Sequence, residues 1–126
     1  MSVNKKCARE CIEYIMGYKQ ILVSRQIAEA ELADARHEFN DTRMAQLAEK
    51  IAGYDDMLAD IEYTADNYSP LDVKPYRGHT FWTERAFLRC RFILGASTER
   101  TAELMDLSSA TVYRIGKYVL GAVEDC

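Results

Sequence analysis

A chain of 126 residues, 48% hydrophobic and 29% charged, is long enough to bury one core and has the composition of an ordinary globular domain. No apolar run approaches the roughly 20 residues of a membrane span, so a membrane partner is not expected. The formal net charge of −4 argues against a broadly basic, sequence-blind polyanion binder.

The opening MSVNKKCARE contains no apolar h-region, and no secretory signal is expected from it. From about Asn4 to Phe39 the spacing predicts one continuous helix. Apolar positions recur at Cys7, Cys11, Tyr14, Tyr18, Ile21, Ala28, Leu32, Ala35 and Phe39, alternating four and three apart, with Arg25 the single interruption. Gly17 is the only residue of weak helix propensity in it. Asn40 is expected to end this helix in the left-handed region and Asp41 to cap the next.

A second helix is predicted from about Thr42 to Asp66, with the stripe Met44, Leu47, Ile51, Tyr54, Leu58, Ile61, Ala65 and Tyr68. Two sustained seven-residue patterns joined by a short turn make a long antiparallel helical hairpin. The stripe tyrosines read as core residues with wet hydroxyl ends. Folding at Asn40-Asp41 leaves residues 4–15 overhanging. The apolar residues there (Cys7, Cys11, Ile12, Ile15) need cover, either from the C-terminal part of the same chain or from a second subunit.

Residues 69–79 (SPLDVKPYRGH) hold both prolines and cannot continue a helix, so they form the connector between a hairpin over 1–68 and a C-terminal bundle over 80–126. Thr80 or Thr83 is expected to cap a third helix, TFWTERAFLRCRFILG, which Gly95 ends. Phe81, Leu88 and Phe92 make one stripe and Trp82, Ala86 and Ile93 another, with Trp82 as a large buried anchor. The four cysteines (Cys7, Cys11, Cys90, Cys126) include no CxxC pair, and only His37 and His79 accompany them. Buried apolar thiols in a reduced, cytoplasmic compartment are therefore expected, and no metal site.

Ser97 to Val119 reads as two short helices around a tight turn. Ser97 caps the first, Asp106 takes the reversal, and Ser108 caps the second. Val112, Ile115 and Val119 fall on its buried face. Ser109, Ala110, Tyr113, Arg114 and Lys117 are left on the other side. This is the plan of a helix-turn-helix whose second helix presents small polar residues first and cations later. The third helix and these two would form the trihelical unit that such a motif requires.

Arg91-Phe92, Gly95, Thr101-Ala102-Glu103-Leu104, Leu107-Ser108 and Thr111-Val112-Tyr113-Arg114 resemble the helix-turn-helix of sigma-factor region 4. They are more similar still to the phage late-gene transcription regulators of the RinA/ArpU type, which join a helical N-terminal half to such a motif. Asp106 stands where that family usually has Gly, and Thr101 where an aliphatic residue is usual. The resemblance implies a phage or prophage regulator that binds double-stranded DNA sequence-specifically, with RNA polymerase or another host protein as a further partner.

In that reading Ser109 and Ala110 approach base edges, Arg114 reads guanine bidentately, and Thr111, Tyr113 and Lys117 hold phosphates or flanking bases. A homodimer is expected, because single helix-turn-helix units bind weakly. Residues 1–78 carry ten Lys/Arg and fourteen Asp/Glu, whereas 79–126 carry six of each, so the candidate DNA-binding half is neutral. That distribution suits an alternative: a phage adaptor or inhibitor that occupies a host protein complex, in which the helix-turn-helix is only structural. A DNA-packaging adaptor, assembled as a ring, is a third reading. Paired acids such as Glu10/Glu13 and Asp55/Asp56 read as helix-surface charge, and no GxSxG, HExxH or Gly-rich phosphate loop occurs. No catalytic residue and no cofactor are expected, and the chain is read as non-enzymatic.

Overall fold

A computed structural model describes residues 7–124, all-helical and without a strand among them. No helix among the described residues is long and apolar enough to cross a membrane. The expected helix start at Asn4 and the residue Cys126 lie outside that range.

α1 (Ala8–Met16) begins with no cap from its preceding residue. Asp72 of the connector supplies one instead, accepting the Ala8 N–H at 2.9 Å. The helix expected to be continuous is interrupted at Gly17, whose N–H bonds three residues back to the Tyr14 carbonyl at 3.2 Å. The ladder resumes when Ile21 N–H donates to the Gly17 carbonyl, and α2 runs Tyr18–His37.

The chain reverses one residue earlier than expected. Phe39, not Asn40, takes the left-handed conformation (φ 55°), and Asn40 is the cap, its side chain accepting the Arg43 N–H at 3.1 Å. Spending the asparagine on the cap leaves the positive φ to Phe39, which closes the apolar stripe in name only, being 88% exposed. α3 follows over Asp41–Asp66.

α2 and α3 lie against each other in antiparallel sense. Tyr18 donates to Glu62 Oε2 at 3.3 Å, Arg25 to Asp55, and Arg43 to Glu31 at 2.8 Å, and Tyr14 of α1 continues the series by donating to Asp60 Oδ2 at 2.5 Å. Ala28 and Ala35 on α2 and Leu47 and Leu58 on α3 are buried along this seam, the alanines letting the backbones close. Arg25, the interruption in the stripe, bridges to α3 through Asp55 and also holds Glu29 on its own helix. The hydroxyls of Tyr14 and Tyr18 are thus not wet ends but donors to carboxylates. Burial, with Asp60 beside it, pushes the Tyr14 phenol up to about 12.

The main core draws on both sides of the connector. Ala8, Cys11, Ile12 and Ile15 of α1 join Ile61, Ala65 and Tyr68 of the α3 end, Phe87, Leu88 and Cys90, and Val112, Ile115 and Val119 near the C terminus. The apolar N-terminal segment is thus covered by its own chain.

α4 (Trp82–Leu88) continues into a π-helical turn, Arg89–Ile93, closed by Leu94 N–H to the Arg89 carbonyl at 2.9 Å. It ends, as expected, at Gly95, with φ 69°. Neither threonine is its cap: Phe81 holds that position without a side-chain bond, and Thr80 Oγ1 receives only the Trp82 N–H at 3.4 Å.

The expected stripes hold in part: Leu88 is buried and Phe81, Ala86, Phe92 and Ile93 pack partly buried against the core, but Trp82 is not the buried anchor. Glu84, Phe87 and Leu88 face inward, and Trp82, two residues and so about 200° from Glu84, is 65% exposed. What turns the helix this way is polar. Glu84 Oε2 accepts the connector's Tyr76 N–H at 2.6 Å, Arg85 Nε donates to the Tyr68 carbonyl at 2.9 Å, and Arg89 reaches Glu62 and Asp66 at 3.3 Å each.

Because one cluster spans the connector, Ile12→Ala should destabilise the whole molecule by about 2–5 kcal/mol. Urea unfolding followed by far-ultraviolet circular dichroism and by the fluorescence of Trp82, the only tryptophan, should then give coincident transitions shifted to lower denaturant. Two separated transitions, with the Trp82 signal unmoved, would mean that the halves do not share a core.

Candidate nucleic-acid interface

α5 (Thr98–Met105) is opened by Ser97, whose side chain accepts the Arg100 N–H at 3.1 Å. Glu99 in its first turn complements the positive helix end. At the other end Asp106 is left-handed (φ 57°, ψ 48°). Leu107 N–H closes back to the Ala102 carbonyl at 2.9 Å and Asp106 N–H to the Glu103 carbonyl at 3.2 Å. These two bonds make the paired closure that usually selects glycine at that position. Ser108 then caps α6 (Ser109–Glu124): its Oγ accepts the Thr111 N–H at 3.2 Å and lies 2.9 Å from Thr111 Oγ1.

The faces of α6 follow from its three-and-four spacing. Val112, Ile115 and Val119 are buried. Gly116 lies on the same side, where an added Cβ would meet the tip of the Phe87 ring at 3.2 Å, a tight contact to which the ring would have to give by a few tenths of an ångström. Ser109, Ala110, Tyr113, Arg114 and Lys117 are all exposed. Thr111, grouped with them from sequence, is half-buried and its hydroxyl is already engaged: it meets Ser108 and accepts from the Arg114 guanidinium at 3.2 Å. Arg114 is thereby laid back toward the first turn. Lys117 Nζ stands 5.6 Å from the centre of the Tyr113 ring. Neither cation meets an acid at ion-pair distance among the described residues. On α5, by contrast, Arg100 is paired to Glu103 at 3.2 Å.

Sequence reasoning passed over the residues flanking this face. Tyr118 donates to the Lys74 carbonyl, and its ring meets that of Tyr76 edge-on at 5.4 Å, so the connector is held along α6. The only signal for this in the sequence is the clustering of Tyr76, Arg77 and His79 beside an aromatic helix start. Elsewhere, no group of three or more His, Cys, Asp or Glu side chains is arranged to hold a metal among the described residues. Burial pushes the Cys90 thiol above its ordinary value, so it is a poor nucleophile. Comparison with protein-family models, with curated proteins and with solved structures finds no match.

Two positions that depart from the resembled pattern carry a physical cost. Asp106 is held at positive φ, and Thr101 is fully buried with its Oγ1 lacking a hydrogen-bond partner. Asp106→Gly should stabilise by about 0.5–1 kcal/mol, the relief of left-handed strain less the entropy of glycine. Thr101→Val, which keeps the shape and removes the buried hydroxyl, should add about 1 kcal/mol or more. Urea midpoints measure both. A loss of stability in Asp106→Gly would mean that the turn is not left-handed at that residue.

Proposed function

We propose that the chain is a sequence-specific double-stranded-DNA-binding transcription regulator of the phage or prophage RinA/ArpU type, non-enzymatic and cytoplasmic. In this reading α2 and α3 are the stem of the N-terminal hairpin. α4 to α6 are the trihelical unit, with α5 and α6 as its helix-turn-helix. The observation that carries the proposal is the outer face of α6: small residues Ser109 and Ala110 in the first turn, then Tyr113, Arg114 and Lys117, all exposed and with neither cation engaged by an acid among the described residues. A small first turn lets a helix sit deep in a major groove, and a guanidinium one turn later reaches O6 and N7 of a guanine. Ion pairs consuming those cations would have favoured the adaptor reading.

Arg114→Ala should weaken binding to the preferred site by about 1–3 kcal/mol and relax discrimination at one base pair. Lys117→Ala should weaken all sequences alike. A mobility-shift assay at two salt concentrations tests this. Equal binding by wild type and the double variant would remove α6 as the reader. The acid-rich N-terminal half, fourteen Asp/Glu against ten Lys/Arg, would then favour the protein-binding adaptor.

Homodimerisation is part of the proposal, because a single helix-turn-helix offers few base contacts. The apolar segment around Ile12 and Ile15 no longer supports it, being buried within the chain. Static light scattering in the presence of a bound duplex should give two chains per site. One chain per site would overturn the dimer and leave the DNA reading in place.

A further inference from the structure

We infer that the cleft between the connector and the first turn of α6 holds a sugar-phosphate strand of the same duplex, beside the groove that α6 would enter. The inference rests on the DNA-binding reading and adds a second contact to it. The connector turns sharply here. Gly78 N–H bonds to the Pro75 carbonyl at 3.3 Å, and Arg77 and Gly78 both have positive φ, 56° and 145°. The anchoring of Lys74 and Tyr76 on Tyr118 fixes this turn relative to α6. The result is an open cleft of about 360 Å³ in which Arg77, His79, Thr80 and Trp82 face Leu107 and Thr111.

Three properties select the occupant. No acid lines the cleft, and Arg77 rests over the Tyr76 ring at 5.5 Å with no carboxylate partner among the described residues, so its charge is available to an anion. Thr111 belongs to the cleft and also accepts the Arg114 hydrogen bond, so the cleft is continuous with the outer face of α6. Trp82 keeps 65% of its surface exposed at the rim, a large apolar plane beside cations and hydroxyls. An anionic strand whose charges alternate with apolar sugars fits that combination. Arg77 would take a phosphate, the Thr80 hydroxyl would donate to the next oxygen, and Trp82 would pack against deoxyribose.

The test uses the full chain and a 30-base-pair duplex enriched from a random library by binding to it. Trp82, the only tryptophan, reports directly on the cleft. The duplex should protect it from quenching by acrylamide. Arg77→Ala should weaken the selected duplex and a scrambled one by the same factor. It should also lower the slope of log affinity against log salt by about 0.9, as loss of one phosphate contact does. Arg77→Lys should restore most of the affinity. Suppose instead that Arg114→Ala abolishes preference for the selected duplex, while Arg77→Ala changes neither affinity nor slope and Trp82 stays as accessible as in the unbound protein. The cleft inference then falls and the DNA reading stands. If no duplex is enriched, both fall together.

Discussion

Ile12 and Ile15 have no exposed surface, a state they reach because α1 lies in contact with the end of α3 and with α6. Burying each side chain contributes roughly 1.5–3 kcal/mol. The rest of the molecule follows from this wedge. It fixes the long α2–α3 pair relative to the C-terminal helices, and it spaces α4 from α3 so that Arg85 and Arg89 reach the Tyr68 carbonyl, Glu62 and Asp66. It also gives α6 an inner face to bury, which settles which residues face outward.

The connector is held by polar contacts at three points, beside the packing of Val73 and Tyr76 against the core. Asp72 caps α1, Glu84 receives Tyr76 N–H, and Tyr118 reaches the Lys74 carbonyl. Each bond joins the connector to a different helix, so an eleven-residue stretch with two prolines is fixed at three points. The arrangement carries a penalty at Glu84, which is 1% exposed and has one carboxylate oxygen without a hydrogen-bond partner. Removing that side chain would release Tyr76 N–H and with it the register of the connector against α6. Glu84 thus acts on the α6 flank from a position well inside the fold.

The α5–α6 turn shows how a short motif tolerates unusual residues when its closing bonds are kept. Asp106 is strained at positive φ and Thr101 wastes a hydroxyl, yet the two backbone bonds back to Ala102 and Glu103 and the Ser108 cap are all formed. Geometry at such a turn is set by where N–H and C=O groups can be satisfied, and side-chain preference only modulates its energy. The outer face of α6 inherits that geometry without contributing to it. Its residues Ser109, Ala110, Tyr113, Arg114 and Lys117 are left exposed.

Three-and-four spacing determined the all-helical class, the inner stripe of α3 and the buried face of α6, and residue type determined the Ser97 and Ser108 caps and the reversal at Asp106. These depend on contacts within a few residues, which sequence spacing encodes directly. Tertiary structure decided the rest. The break at Gly17 and the π turn at Arg89–Ile93 interrupt ladders that the spacing reads as continuous, and the outward rotation of Trp82 goes with polar contacts to the connector and to α3. A helix with apolar residues on several sides, as α4 has, can bury more than one of them. Which one wins is settled by where Glu84, Arg85 and Arg89 find hydrogen-bond partners, and those partners lie on the connector and on α3. For the same reason the Arg77–Trp82 cleft had no local signature: its two walls are a loop and a helix turn about thirty residues apart, joined only by the fold.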